Sequence, residues 1–213
     1  FGSTYEDGTP VGGRGDATCF SFDPIKTITT GEGGAIVFED EQDHDRAMKM
    51  RALGVDSTAW SRLEAKRPWQ YDVIGDGFRY HMPNFCAAIG LVQLERLGEF
   101  RERKQAVLRM YQDGLRDHPL LELREMPVER VAPFLALVLT HERDRFMAHM
   151  REREIGTGVH YIPVHEMTRF RNGAEERLPV TRDIGARIVS LPLYNDQTDA
   201  DCERVLEAAA AFS

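Results

Sequence analysis

The chain has 213 residues, a formal net charge of −8 at pH 7 and 42% hydrophobic residues. This composition is typical of a globular protein and allows one large domain or two small ones. The excess of acids disfavours a nucleic-acid surface, which needs clustered Lys and Arg. No apolar run of the sequence approaches the ~20 residues that cross a bilayer, so we expect no membrane partner.

The three cysteines are far apart and odd in number: Cys19, Cys86 and Cys202. Without a Cys-x-x-Cys pair they predict neither a structural zinc site nor a disulfide framework, and we expect no metal site. Reduced thiols favour a cytoplasmic location. The first residues are polar and Gly-rich, without a signal peptide or an initiator Met, so we expect the chain to begin inside a larger fold.

Two short strands are predicted on either side of a glycine-rich loop near the start of the chain. Residues 17–22 favour a strand, and residues 35–38 form a continuous apolar run, the pattern of a strand buried on both faces. Between them, Pro24 and the glycines of Gly31-Glu32-Gly33-Gly34 predict a shaped loop instead of a helix. Lys26 belongs to this loop.

Helical patterns follow. A helix over about residues 41–53 has acids at its start and bases near its end, and Gly54 is placed to end it in a left-handed cap. Residues 55–76, which include Trp60, show no period and predict a long loop. The strongest pattern predicts one long helix from about Asn84 to Leu115, which could bridge two domains.

The rest of the chain, residues 116–213, predicts a mixture of strands and helices. Strands are expected over residues 121–124 and 132–139, and Thr140 is expected to cap a helix that runs through Glu154. Thr198-Asp199-Ala200-Asp201 resembles a capping box that opens the last helix. The alternation of strands and helices indicates an α/β or α+β fold.

Lys26 is the strongest candidate for chemistry. Most lysines on surface loops are solvated charges, whereas a nucleophilic amine needs partial desolvation so that its neutral form is accessible near pH 7. A loop between two apolar strands can supply that environment. The residues alone therefore leave both interpretations open.

Four blocks of the sequence resemble motifs of one family and occur in its order. The first is Ser21-Phe22-Asp23-Pro24-Ile25-Lys26 with the Thr-Thr-Gly-Glu-Gly-Gly run at residues 29–34. The others are residues 77–94, 156–165 and 191–194. Together they resemble the DegT/StrS family of sugar aminotransferases, which depend on pyridoxal phosphate (PLP), over nearly the whole chain.

The resemblance implies an α/β fold of the aspartate-aminotransferase type (fold type I) with PLP as cofactor. Residues 1–95 would be the remaining part of a truncated PLP-binding large domain, and residues 96–213 a small α+β carboxyl-terminal domain. It further implies a homodimer that shares its active sites. The implied reaction transfers an amino group from a donor such as glutamate to a nucleotide-linked keto-sugar, as in polysaccharide biosynthesis.

Site residues follow from the matching positions. Lys26 would bind PLP covalently and then move a proton as base and acid, and Ser21 would hydrogen-bond the cofactor phosphate. His160 and Tyr161 of the third block would contact the substrate, as His165 could. Either histidine could equally be structural, and as a metal pair they are poor.

Two positions depart from the family pattern. Arg79 stands where the family commonly has an Asn that reaches the phosphate of the neighbouring subunit's cofactor, and His81 stands where it commonly has Arg. Arg79 could still bind phosphate, or it could pair with an acid such as Asp76.

A third departure is that the aromatic residue and the acid that face the cofactor ring are expected before Phe1. The chain alone is therefore expected to be inactive. The alternative is a non-catalytic or regulatory relative that dimerises without turnover, whereas a sugar dehydratase is disfavoured because Lys26 is present.

Overall fold

The computed structural model describes residues 1–57, 62–63, 66–67, 69–171 and 177–213. They form two compact units, one made of Phe1 and Ser3–Leu97, the other of Gly2 and Gly98–Ser213. Trp60, which was predicted to lie in a long loop, falls outside the described residues.

A β-hairpin opens the first unit. β1 (Ala17–Ser21) pairs with β2 (Gly34–Phe38) in an antiparallel sheet, with Ala17 opposite Phe38 and Ser21 opposite Gly34. Both strands and the loop between them are confirmed. The prediction that β2 is buried on both faces is wrong, because within the described residues it pairs with β1 in a two-stranded sheet, and its side chains Ile36 and Val37 are 51% and 45% exposed.

Helix α1 (Glu41–Met50) begins at Asp40, whose carboxylate accepts from the backbone N–H groups of Gln42 and Asp43. The helix ends before the predicted residue 53. Gly54 has the left-handed conformation expected of it (φ 70°), and its N–H donates to the carbonyl of Lys49 at 3.0 Å. The residues after α1 pair with a later extended segment through Ala52 opposite Arg79.

The long helix predicted from Asn84 to Leu115 is two helices, α2 (Asn84–Glu95) and α3 (Leu97–Leu115). The break lies at Arg96, whose backbone (φ −89°, ψ 0°) stays in the right-handed region but departs from regular helical values, and whose N–H bonds the carbonyls of Val92 and Leu94. The sequence pattern failed here because a one-residue interruption hardly changes the three- and four-residue spacing. α2 buries Cys86 and leaves much of its apolar surface exposed, whereas α3 buries one face.

An antiparallel sheet organises the second unit in the order β3 (Glu122–Leu123), β4 (Ala136–Leu139), β5 (Ile188–Leu191). The register places Leu139 opposite both Glu122 and Ile188. β3 and β4 fall inside predicted strands. β5, which ends where the fourth sequence block begins, was not predicted as a strand.

Helices α4 (Arg143–Glu152), α5 (Pro179–Arg187) and α6 (Asp199–Ala210) complete the second unit, with short 3₁₀ turns at Val128–Arg130 and Val164–Glu166. The core they enclose is apolar and fully buried at its centre: Leu108, Tyr111, Val138, Phe146, Met150, Val189 and Ala209. The capping box at Thr198 is confirmed, since its side chain and that of Asp201 each accept from the other's backbone N–H.

Candidate functional site

The loop that carries Lys26 is closed at its base by backbone hydrogen bonds. Phe22 donates to the carbonyl of Gly33 and accepts from the N–H of Thr30, both at 3.0 Å. Near the turn, the backbone N–H of Lys26 donates to the carbonyl of Asp23 at 3.0 Å. Lys26 therefore lies in a turn of a loop whose two ends are joined by hydrogen bonds.

Burial changes abruptly along this loop. Ile25 is 62% exposed and Lys26 is half-buried, whereas Thr27, Ile28 and Thr30 are buried. The residue Lys26 is thus partly removed from solvent, and the buried residues of this region lie in the second half of the loop and not in β2.

Ser21 is the last residue of β1 and its side chain is exposed. Its hydroxyl oxygen accepts a long hydrogen bond from the backbone N–H of Asp23 at 3.4 Å. The hydroxyl proton can still be donated to an incoming acceptor such as a phosphate oxygen. Ser21 and Lys26 thus belong to the same loop, on either side of its first turn.

The structure brings the second sequence block against the lysine loop. A Cβ on Gly33 would lie 2.7 Å from Met82 Cε, and a Cβ on Gly90 would lie 2.7 Å from Thr30 Cγ2. Gln93, which the sequence did not single out, accepts a hydrogen bond from a backbone N–H of this loop. Its place in the second block was the only sequence signal for it.

Arg79 lies on the extended segment that pairs with the residues after α1. The backbone N–H groups of Phe78 and Tyr80, on either side of it, donate to the carbonyls of Met50 and Arg51. The side chain of Arg79 is exposed. A rigid backbone with an accessible guanidinium suits an anion, and the structure neither assigns one nor pairs Arg79 with Asp76 in a salt bridge within the described residues.

An apolar cleft of about 780 Å³ opens in the first unit between one face of the hairpin, α1 and residues 80–83. Phe20, Ile36 and Met48 line it, as do Arg51 and His81. Its described lining does not include Ser21, Lys26 or Arg79. His81, the second departure from the family pattern, therefore shares this cleft with Gly33 and Gly34 at the end of the loop, and Lys26 is not part of the described lining.

His160 and Tyr161 lie in the second unit, on the segment that follows α4. Gly158 pairs with Ser190 of β5, and His160 Nδ1 forms a hydrogen bond with Ser190 Oγ at 2.8 Å. The ring of Tyr161 meets that of His160 edge to face at 5.0 Å and is 60% exposed. His160 is thus oriented by the sheet, and Tyr161 presents its phenol outward.

His165 has a different environment. It lies in the 3₁₀ turn Val164–Glu166, is 9% exposed, and its Nε2 finds no hydrogen-bond partner among the described residues. A buried imidazole nitrogen without a partner is costly, so the site around it is incomplete in polar contacts. Of the histidines that the sequence proposed, His160 is therefore oriented by a hydrogen bond, whereas His165 is buried with its Nε2 unsatisfied among the described residues.

A second cleft of about 780 Å³ lies in the second unit between α3 and residues 122–129. It is polar and lined by charges of both signs, including Arg109, Arg116, Glu122 and Glu129. All four are already paired: Arg109 contacts Glu129 at 3.1 Å, Arg116 contacts Asp113 at 2.8 Å, and Glu122 contacts Arg187 at 3.0 Å. The mixture of signs favours neither an anion nor a cation.

Two further properties bear on the site. In the part of the chain that the structure describes, His, Cys, Asp and Glu side chains do not gather in groups of three or more that could hold a metal ion. Over the same residues, no helix combines the length and the apolarity that crossing a membrane requires.

Comparison with protein families matches residues 1–210 to the DegT/DnrJ/EryC1/StrS aminotransferase family. Among solved structures, the aminotransferase TlmJ from Streptoalloteichus hindustanus is 29% identical to this chain, with a TM-score of 0.84. The match covers 96% of this chain and 54% of the TlmJ chain. The sugar aminotransferase CalS13 from Micromonospora echinospora is 27% identical with a TM-score of 0.84, over 100% and 56% of the two chains.

Spr1654 from Streptococcus pneumoniae, solved in a PLP form, shares the fold with a TM-score of 0.86 at 23% identity, over 98% of this chain and 54% of its own. The chain therefore spans about half the length of the solved structures that it matches.

Proposed function

The chain belongs to the DegT/DnrJ/EryC1/StrS aminotransferase family, and from that premise we propose that it forms part of an enzyme that aminates a nucleotide-linked keto-sugar. Its fold is the α/β fold of PLP-dependent transferases of type I, and PLP is its cofactor. Glutamate, or an amino acid like it, is the proposed amino donor.

One observation carries the proposal: Lys26 lies half-buried on a loop whose ends are fixed by the bonds between Phe22, Thr30 and Gly33. A covalent cofactor needs an amine held in one place and partly removed from water. An ordinary surface lysine would need neither the closed loop base nor the buried residues that follow it.

The functional groups of Lys26, Ser21 and Arg79 match the chemical groups of PLP. A primary amine at Lys26 matches the aldehyde, and the hydroxyl of Ser21 can donate to the phosphate. The exposed guanidinium of Arg79 can bind a phosphate through two parallel N–H donors. We propose that Arg79 reaches the cofactor of a second subunit in a homodimer, as the Asn that it replaces does in the family.

When bound, PLP supplies an electron sink for the pair of electrons that remains when a C–H bond of the donor breaks. The proposed task of Lys26 is to hold the cofactor and, once released, to take the proton from the donor's α-carbon with Nζ. Nζ would pass that proton on to the cofactor. In the second half of the reaction it would move a proton the other way, from the cofactor to the sugar carbon that receives the amino group.

On the substrate side we propose His160 and Tyr161 of the small domain, residues 96–213. The bond between His160 and Ser190 fixes the ring, and the exposed phenol of Tyr161 can exchange hydrogen bonds with sugar hydroxyls. Residues 1–95 are proposed as part of the PLP-binding large domain. Turnover is proposed to require the further length that the family structures have and these residues do not cover.

The test is to treat the full-length protein with PLP, reduce it with borohydride and map the modified peptide by mass spectrometry. We expect the label on Lys26, its loss in Lys26→Ala, and its retention in the matched variant Lys66→Ala. Conversion of glutamate to 2-oxoglutarate should occur with a nucleotide-linked keto-sugar and cease in Lys26→Ala.

Labelling that persists in Lys26→Ala, or that maps to another lysine, would remove the basis of the assignment. A second candidate, a family relative that dimerises without turnover, draws on the two departures Arg79 and His81. It would be supported if the full-length protein formed a stable dimer but took up no PLP.

A further inference from the structure

A side chain on α2 contacts the loop just after the cofactor lysine. Gln93 Oε1 accepts a hydrogen bond from the backbone N–H of Thr29 at 3.3 Å, although the two residues are 64 positions apart. Both are half-buried. An amide oxygen on a helix therefore fixes a backbone group in the half of the loop that follows Lys26.

Thr29 is the point of this loop where several bonds meet. Its hydroxyl donates to the carbonyl of Phe22 at 3.1 Å and accepts from the N–H of Gly31 at 2.9 Å. Thr30, next to it, donates its N–H to the same carbonyl. The loop is thereby tied to its own base, and Gln93 ties it to α2.

The approach of α2 to the loop is close. Gly90, one turn before Gln93, leaves room for the Thr30 methyl group, since a Cβ on Gly90 would lie 2.7 Å from Thr30 Cγ2. Thr30 is 3% exposed and its hydroxyl donates to the carbonyl of Glu32 at 2.7 Å. The glycine allows the contact, and the glutamine sets its register along the helix.

We propose that Gln93 is a positioning residue for Lys26: through the Thr29 N–H it sets where the loop turn, and so the lysine amine, stands. The inference rests on the proposed function, in which Lys26 binds PLP. Loss of the acceptor would let a half-buried N–H turn toward water and release the loop between its base and its turn. A displacement of about 1 Å at a reacting group can slow its reaction by about a hundredfold.

Three variants of the full-length protein test this role. Gln93→Glu keeps an oxygen acceptor at the same reach, Gln93→Met keeps the length without an acceptor, and Gln93→Asn keeps the amide but shortens it. Gln42→Met, on the exposed surface of α1, is the matched control. Hydrogen exchange of the Thr29 amide and the rate of borohydride-trapped PLP attachment to Lys26 are measured in each.

In Gln93→Met and Gln93→Asn we expect the Thr29 amide to exchange at least about tenfold faster and PLP attachment to slow by about ten- to a hundredfold. Gln93→Glu should restore both, and the urea midpoint of every variant should stay that of Gln42→Met. If Gln93→Met does not fold, Gln93→Asn decides.

The two proposals fail separately. If wild-type protein never attaches PLP to Lys26, the proposed function fails, whatever the exchange rate of the Thr29 amide. If wild-type protein attaches PLP there and Gln93→Met and Gln93→Asn do so at the same rate, the positioning role of Gln93 is overturned while the function stands.

Discussion

The side-chain amide of Gln197 donates a hydrogen bond to the phenolic oxygen of Tyr111 over 2.7 Å in the core of the second unit. The phenol in turn donates to the carbonyl of Pro192 at 3.0 Å. Both side chains are almost wholly buried, and burial raises the pKa of Tyr111 above its usual range. The chain of bonds joins α3 to the segment between β5 and α6.

Removing the phenolic hydroxyl of Tyr111 should therefore cost more stability than removing a hydroxyl at the surface. We expect Tyr111→Phe to lower the free energy of unfolding by about 1–3 kcal/mol, because it leaves the Gln197 amide and the Pro192 carbonyl buried with fewer partners. Urea denaturation measures this. In a double-mutant cycle with Gln197→Met the two losses should be less than additive, and strict additivity would contradict the coupling.

The burial of Lys104 should make the stability of the folded protein depend on pH. It is 3% exposed on α3, and burial lowers the pKa of its amine from 10.5 to about 8. The folded protein thus binds fewer protons than the unfolded chain between pH 8 and 10.5, so stability rises with pH across that window. We expect Lys104→Met to raise the free energy of unfolding near pH 7 by up to about 3 kcal/mol.

That gain should shrink as the pH rises from 8 toward 10.5, since wild-type Lys104 becomes neutral there at less cost. Urea titrations at several pH values check it. Lys49→Met, on the exposed surface of α1, is the control and should show no such trend. A difference between Lys104→Met and wild type that is constant with pH would contradict the argument.

Patterns confined to neighbouring residues predicted the fold well. β1, β2 and the capping box at Thr198 depend on alternation, turn residues and local side-chain bonds, which the sequence displays directly. The exposure of β2 was mispredicted because an apolar sequence shows that a strand can be buried. It does not show which other part of the protein covers the strand. The break at Arg96 carries no Pro or Gly, so spacing alone did not reveal it.

The site divides in the same way. Lys26 and Ser21 belong to one contiguous motif, which is why the sequence alone could propose them. Gln93 was not singled out because its proposed role depends on a contact across 64 positions, which only the folding of α2 against the loop creates. The placement of His81 beside an apolar cleft likewise follows from tertiary structure.

The capping box of α6 should be measurable on its own. Thr198 accepts from the N–H of Asp201 at 3.1 Å, and Thr198→Ala is expected to lower the free energy of unfolding by about 1 kcal/mol. Hydrogen bonds from Thr198 lower the pKa of Asp201, so the part of the wild-type advantage that depends on the Asp201 carboxylate should be present above pH 3.8 and be lost as the pH falls further.

Chemical denaturation of Thr198→Ala at neutral and acid pH gives both quantities. Thr181→Ala, at an exposed position of α5, provides the matched substitution and should cause no loss. An equal loss in the two variants would show that the cap is not the source. A Thr198→Ala loss that persists undiminished in acid would show that the Asp201 carboxylate contributes nothing to it.

The close passage of Gly54 past residues 75–77 gives the last prediction. A Cβ on Gly54 would overlap the carbonyl oxygen of Gly75, and a Cβ on Gly77 would overlap the backbone N of Gly54. Gly54 also has φ 70°, which disfavours any other residue. We expect Gly54→Ala to lower the free energy of unfolding by about 2–4 kcal/mol, from backbone strain and overpacking together.

The same substitution at Gly75, which has open space where its Cβ would stand, should change stability by less than about 0.5 kcal/mol. Because residues 77–80 pair with the end of α1, Gly54→Ala should also speed proteolysis around Arg79, whereas Gly75→Ala should not. Urea unfolding and limited proteolysis measure the two effects. Equal destabilisation by both substitutions would mean that the close passage does not hold the Arg79 segment in place.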